Sequence, residues 1–297
     1  MTIHRAVVAR VLPLTGTMVR ITFHGGDLAT FTSTGIGDEY VRLFFPHGTD
    51  RADLSLPETT ENGDWQTPEG RPTAPMRTYT IRAVRPEAGE IDIDFVLHSH
   101  GVASSWAAAA RPGDMIGLNS PTGLYSPPAD LTWQVLISDL TGLPAVARIL
   151  EDTPDGVTTR AVIEVPGPAA VQPLPDRPHI RSTWSYGGNG AGPSRLAELV
   201  AAAIPPGADL TGGYLWVAGQ TNALRTVRRH LRKELKLPME RFKVVGYWVP
   251  DSDTWTERYE ALPADVRAEL DALWDNPADE PEDLTIRYEA RLSSLGL

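Results

Sequence analysis

The sequence changes its periodicity once, near residue 130, and that change limits the fold more than any other feature. Before it, short runs rich in β-branched and aromatic residues, at 17–23, 40–45, 77–84 and 91–98, are separated by Gly, Pro and Asp. This is the pattern of antiparallel strands joined by turns. One alanine-rich stretch, 104–110, reads as a helix and stops at Arg111-Pro112-Gly113-Asp114, where proline and glycine break it. Beyond Ser126-Pro127-Pro128-Ala129-Asp130, strands at 133–138, 159–165, 183–186, 214–218 and 242–248 alternate with helices at 143–151, 194–203 and 222–235. Strands that alternate with helices pair parallel, so this half predicts a doubly wound sheet with ligands at the carboxyl ends of its strands. The expected architecture is β + α/β. An antiparallel β-barrel spans residues 1–126, a parallel-sheet α/β domain 131–250, and a helical C-terminal tail 251–297, with acidic helices at 264–274 and 281–292.

The net charge of -11 belongs mostly to that tail, which holds thirteen acidic residues against four arginines. The remainder is nearly neutral and lacks the basic stripe of a nucleic-acid binder, so no nucleic-acid partner is expected. Charge spread over both helices and their Pro/Asp/Glu-rich hinge predicts a solvated face, with Leu270, Leu273, Trp274 and Leu292 free to pack it onto the body. The chain has no cysteine, which excludes thiol catalysis, iron–sulfur ligation and zinc–thiolate sites. No stretch reaches the roughly 18 apolar residues of a membrane helix. Met1-Thr2-Ile3-His4-Arg5 leads into an alternating segment, so a cytoplasmic location without membrane insertion is expected.

Neither a G-x-x-x-x-G-K-[ST] loop nor a G-x-S-x-G elbow is present. Gly187-Gly188-Asn189-Gly190-Ala191-Gly192 breaks the dinucleotide fingerprint at Pro193 and reads as a flexible strand-to-helix loop. His98-x-His100 lacks a nearby third ligand, which favours local hydrogen bonding over a metal. Arg77-Thr78-Tyr79-Thr80 carries more. On a strand it sets Arg77 and Tyr79 on one face and the hydroxyls of Thr78 and Thr80 on the other. The partner strand runs directly into His98 and then Gly101-Val102-Ala103-Ser104-Ser105-Trp106. Glycine permits close approach, and a helix start offers amide N–H groups and the positive end of its dipole to a phosphate. Together these describe a pyrophosphate site beside an aromatic platform; an exposed arginine and an ordinary serine N-cap are the plain alternatives.

The ordered set of Arg77-Thr78-Tyr79-Thr80-Ile81-Arg82, His98 with Gly101-x-x-Ser104-x-Trp106-Ala107, Gly113-Asp114 and Pro121-x-Gly123 resembles the siderophore-interacting protein family, in the ferredoxin-reductase-like superfamily. The likeness continues through Ser138-Asp139-Leu140-Thr141-Gly142-Leu143-Pro144-Ala145, Trp216-Val217-Ala218-Gly219-Gln220, the arginine-rich helix at 224–235 and Gly246-Tyr247-Trp248. What the resemblance implies is a barrel that binds FAD and a second domain that admits NAD(P)H. By position, Arg77 faces the pyrophosphate, Thr78 borders the site, Tyr79 stacks on the flavin and Thr80 lies near its N5. His98 and the turn Gly101, Val102, Ala103 and Ser104 hold phosphate. Asp139, Thr141, Gly142, Gly219 and Gln220 border the nicotinamide, while Trp248 and Val249 meet the substrate. The implied activity is reduction of a ferric siderophore, with electrons from NAD(P)H or a ferredoxin. A general flavin or quinone reductase, or a flavin-containing siderophore carrier, would share these sites. Three positions depart from the family pattern: Leu140 and Gln220 each replace a glutamate, and Val249 replaces an arginine.

Overall fold

In the computed structural model the described residues are 2–47, 54–60, 65–99, 101–189, 191–205, 207–250, 252–274 and 281–297. Strands β1 (Ile3–Thr15), β2 (Met18–His24) and β3 (Tyr40–Phe44) open the chain. The two-residue strands β4 (Glu58–Thr59) and β5 (Trp65–Gln66) pair only with each other. Then come β6 (Met76–Arg85), β7 (Glu90–Val96), the short helix α1 (Val102–Ala108) and β8 (Met115–Asn119). The six longer strands close a barrel in the order β1-β2-β7-β6-β3-β8, every pair antiparallel. Alternation along these strands sends Ile21, Phe23, Leu43, Ile81, Ile93, Phe95 and Ile116 inward, all essentially without solvent contact. Helix α1 plugs the barrel with Trp106, whose ring lies 5.4 Å from Phe45, 6.0 Å from Phe95 and 6.2 Å from Phe23.

The second unit is a five-stranded parallel sheet built from β9 (Trp133–Asp139), β10 (Thr158–Val165), β11 (Ile180–Tyr186), β12 (Gly213–Gln220) and β13 (Phe242–Trp248). Its order, β11-β10-β9-β12-β13, reverses direction between β9 and β12, so a crevice opens there at the carboxyl ends of the strands. Helix α2 (Leu143–Asp152) covers one face through Leu143, Val146, Ile149 and Leu150. Helices α3 (Leu196–Ala203) and α4 (Thr221–Arg229) cover the other with Leu196, Val200, Leu224 and Val227. With both faces buried, the central strands are apolar throughout rather than alternating. Helix α4 runs into one π turn at His230–Glu234, so the expected helix at 222–235 is one continuous element with a change of winding.

The tail forms α5 (Ser252–Glu260), α6 (Ala264–Ala272) and α7 (Pro281–Ser294). Two features depart from expectation. Helix α5 was not legible as a helix, and the acidic surface is not wholly solvated. Arg228 of α4 is buried against Glu289 of α7 and also donates to the Val244 carbonyl at 3.1 Å. Arg232 and Lys233 meet Asp283, and Arg225 donates to Ser293 Oγ and the Leu297 carbonyl. Leu270, Leu292 and Leu297 close a small core of their own with Trp255, Tyr259 and Tyr288, whereas Trp274 stays exposed. Among the described residues no helix is long and apolar enough to cross a membrane.

Removing one partner of a buried ion pair costs more than the pair contributes, because the remaining charge keeps its desolvation penalty. Glu289→Ala is therefore expected to destabilise the protein by about 3 kcal/mol in urea unfolding. Replacing both Arg228 and Glu289 by apolar residues of similar size should recover most of that loss.

Candidate functional site

Strand β6 carries the barrel's share of the site. Arg77 and Thr78 are exposed, Tyr79 is half-buried and Thr80 is buried. The Tyr79 ring packs 4.5 Å from Phe95, and burial pushes its phenol well above the ordinary tyrosine range, with Arg77 opposing. Phe95 in turn touches Trp106 of α1, so the β6 platform and the α1 turn share one aromatic cluster. Thr80 points the other way, toward the sheet, where its Oγ1 donates to the Tyr247 hydroxyl at 3.3 Å.

The turn into α1 differs from a serine N-cap. Gly101 holds the N-cap position with φ +93, a left-handed conformation that glycine takes without strain. Ser104 sits inside the first turn. Its hydroxyl receives the His98 amide and donates to the His98 carbonyl, both at 2.8 Å, which clamps the end of β7 to the helix. The His98 side chain is exposed, and His100 lies outside the described residues. Helical geometry leaves the amides of Val102, Ala103 and Ser104 without an i−4 acceptor; the first helical bond runs from Ser105 N to the Gly101 carbonyl.

At the strand ends of the sheet, Asp139 is the hub. It is 1 % exposed, and its carboxylate accepts four hydrogen bonds: from Thr141 N at 2.9 Å, Thr141 Oγ1 at 2.5 Å, Gln220 N at 2.9 Å and the Trp248 indole N–H at 2.6 Å. Burial pushes this carboxyl up from its usual range, and those donors oppose the shift. Gly219, at φ +149, lies where any Cβ would stand 2.5 Å from Asp139 Oδ2, so glycine here is what lets the carboxylate reach across from β9 to β12. Asp139, Thr141, Gly142, Gly219, Gln220 and Trp248 are thus brought together at the switch point, with Val249 half-buried beside Trp248. Through Tyr247, which neighbours Trp248, they adjoin Thr80 of the barrel.

Several residues that hold the site in place carried no signal in the sequence reading. Asp38 is buried between the two units and accepts from Leu124 N, Tyr125 N and the Trp216 indole at 2.7 to 2.8 Å. Its neighbour Glu39, fully buried, accepts from Ser33 and Thr34 and pairs with Arg148 of α2 at 2.7 Å. Arg148 also donates to the Ile81 carbonyl on β6. Adjacent acidic residues at the start of an apolar strand were the available hint. No group of three or more metal-ligating side chains occurs among the described residues.

Residues 7–125 match the model of the siderophore-interacting FAD-binding domain, and residues 131–251 match that of the siderophore-interacting protein. The chain is 31 % identical over 245 residues to the NADPH-dependent ferric-chelate reductase of Escherichia coli, covering 81 % of this chain and 91 % of that one. The chain belongs to the siderophore-interacting protein family. Another relative is the ferric vibriobactin reductase ViuB of Vibrio cholerae, 29 % identical with coverage of 78 % and 83 %. The crystal structure of a siderophore utilization protein from T. fusca aligns with a TM-score of 0.71 at 33 % identity, covering 84 % of this chain and 94 % of that one. Both matched segments of the family end before α5. The barrel is the family's FAD-binding unit, and the residues present are compatible with that cofactor: an exposed arginine and a glycine-led helix start, next to a tyrosine.

Glu39 is held below the usual carboxylate range despite burial, because Ser33, Thr34 and Arg148 all favour its charged form. A depressed folded-state value contributes stability above the unfolded value and loses it as pH falls through the folded one. The stability advantage of wild type over Glu39→Gln should be greatest at about pH 7 and narrow toward about pH 3. Thermal unfolding of both proteins across that range checks it; a constant difference would remove the ionised pair from the account.

Proposed function

We propose that the chain reduces ferric siderophores through a bound FAD, with electrons supplied by NAD(P)H or a ferredoxin. The observation that carries this reading is the seam itself, where Thr80 on β6 of the FAD-binding barrel meets Tyr247, beside the Trp248 that Asp139 holds at the strand ends of the sheet. The names of the ferric-chelate and ferric vibriobactin reductases support the substrate class. FAD supplies the coupling when bound, taking two electrons as a hydride and releasing them singly. Two ferric chelates are then reduced to Fe(II) for each nicotinamide oxidised. Hard anionic oxygen donors hold Fe(III) far better than Fe(II), so one electron loosens the chelate.

On this reading Arg77 and the amides of Val102 to Ser104 neutralise the pyrophosphate, with His98 and Gly101 shaping the turn. Tyr79 backs the ring, Thr78 lies on the flanking face, and Thr80 presents its hydroxyl toward N5. Tyr247 gives Thr80 a partner that can either donate or accept. Burial, with the charges of Asp38 and Asp139 adding to it, pushes the Tyr247 phenol far up, so that partner stays neutral at working pH. Electron transfer needs no general acid or base, and none is assigned. Trp248, fixed by Asp139, shields the ring, and Val249 meets the chelate.

The purified protein should be yellow. After anaerobic chemical reduction of its flavin, mixing with a ferric siderophore should restore the oxidised spectrum. A colourless protein that takes up no FAD would reject the reading. Arg77→Ala should weaken FAD binding by about 1.5 to 3 kcal/mol, the worth of a charge-assisted contact. Val249 offers no positive charge, so near-neutral hydroxamate chelates should outpace tris-catecholates. Val249→Arg should raise turnover of the anionic chelates by roughly tenfold, most at low salt where screening is weakest. Equal rates for both chelate types in both proteins would exclude position 249 from substrate choice.

A further inference from the structure

We infer that the switch-point crevice is closed to the pyrophosphate of a dinucleotide, so the chain does not read the adenylate half of a nicotinamide donor. This rests on the reductase reading above. A doubly wound sheet binds a pyrophosphate with the free amides of its first strand-to-helix turn, aided by the helix dipole. Here three of those amides are already taken. Leu140 N donates to the Asn189 side chain at 2.9 Å, Thr141 N to Asp139 and Leu143 N to the Leu140 carbonyl. The next position is Pro144, which has no N–H. Leu140, Gly142, Leu143 and Pro144 are buried. Across the switch point, Gln220 N is spent on Asp139 as well.

Described residues after β11 are held in the same way. Glu164, fully buried near the end of β10, accepts from Asn189 N at 3.1 Å, Ser194 Oγ at 3.2 Å and Arg195 N at 2.9 Å. Asn189, Ser194 and Arg195 thereby converge on one carboxylate. The Arg195 guanidinium reaches Glu198 and Ser185. A dianionic pyrophosphate at the α2 turn or beside Asn189 and Arg195 would meet two buried acidic side chains and amides that already have acceptors. Asp139 and Glu164 therefore act as specificity residues: they occupy from inside the donors that a dinucleotide would need from outside.

The test mixes the FAD-loaded protein anaerobically with NADH, NADPH or reduced nicotinamide mononucleotide, which lacks the adenylate, and follows bleaching of the flavin. Second-order rate constants within about threefold of one another, without saturation, are expected, including the case where all three are equally slow. Titration calorimetry with NADP⁺ and with ADP should show no saturable heat. Saturable reduction by either dinucleotide at more than about ten times the rate of the mononucleotide would overturn the inference, as would tight binding of NADP⁺. Neither result depends on iron. A chemically reduced flavin that fails to reoxidise with ferric siderophore rejects the reductase reading and leaves the donor comparison standing.

Discussion

Two consecutive buried carboxylates, Asp38 and Glu39, set the relation between the barrel and the sheet, and the candidate site exists only because that relation is fixed. Asp38 receives donors from Leu124 and Tyr125 at the end of the barrel segment and from Trp216 in the middle of β12. Glu39 receives Arg148 from α2, which reaches on to the backbone of β6. A buried carboxylate without donors would cost several kcal/mol, so these two residues penalise any arrangement that leaves their partners behind. Apolar packing alone tolerates sliding; directional bonds to one indole, one guanidinium and three backbone groups do not. The Thr80–Tyr247 contact, across which a flavin and its reductant would meet, lies between these anchors.

The same device recurs at the strand ends. Asp139 and Glu164 gather amides from β12, from the α2 turn and from the glycine-rich turn. The protein fastens these turns to its sheet with carboxylates. The two situations differ in ionisation: at Asp139 burial outweighs its donors and holds the carboxyl above its ordinary range, whereas Ser33, Thr34 and the Arg148 charge hold Glu39 below it.

The layer architecture was legible because periodicity is a local property, and the change near residue 130 falls between β8 and β9. The motif residues were legible because family likeness preserves their order. What escaped were elements whose pattern is broken or whose partners are distant. Strand β1 runs through Pro13, with register shifts against β2 on the way, and β8 carries Gly117 at its centre, so neither showed a clean strand period. Helix α5 is polar, although its stacked Trp255 and Tyr259 stand four residues apart, a spacing that marks one helix face. Asp38 is 178 residues from Trp216, a separation no local pattern bridges. Glu164 was findable in principle, as a charge inside the apolar run Val162-Ile163-Glu164-Val165.

The tail joins the body in an unusual way for so small an appendage. Most of its buried apolar residues face one another, within a core made only of tail residues, while its contacts with α4 run largely through arginine, lysine and carboxylates. The heat-capacity change rises with the apolar surface newly exposed. Lifting the tail off as an intact three-helix unit would expose little of it. Undocking would therefore leave little mark on a calorimetric baseline, and ionic strength would be the variable that reveals it.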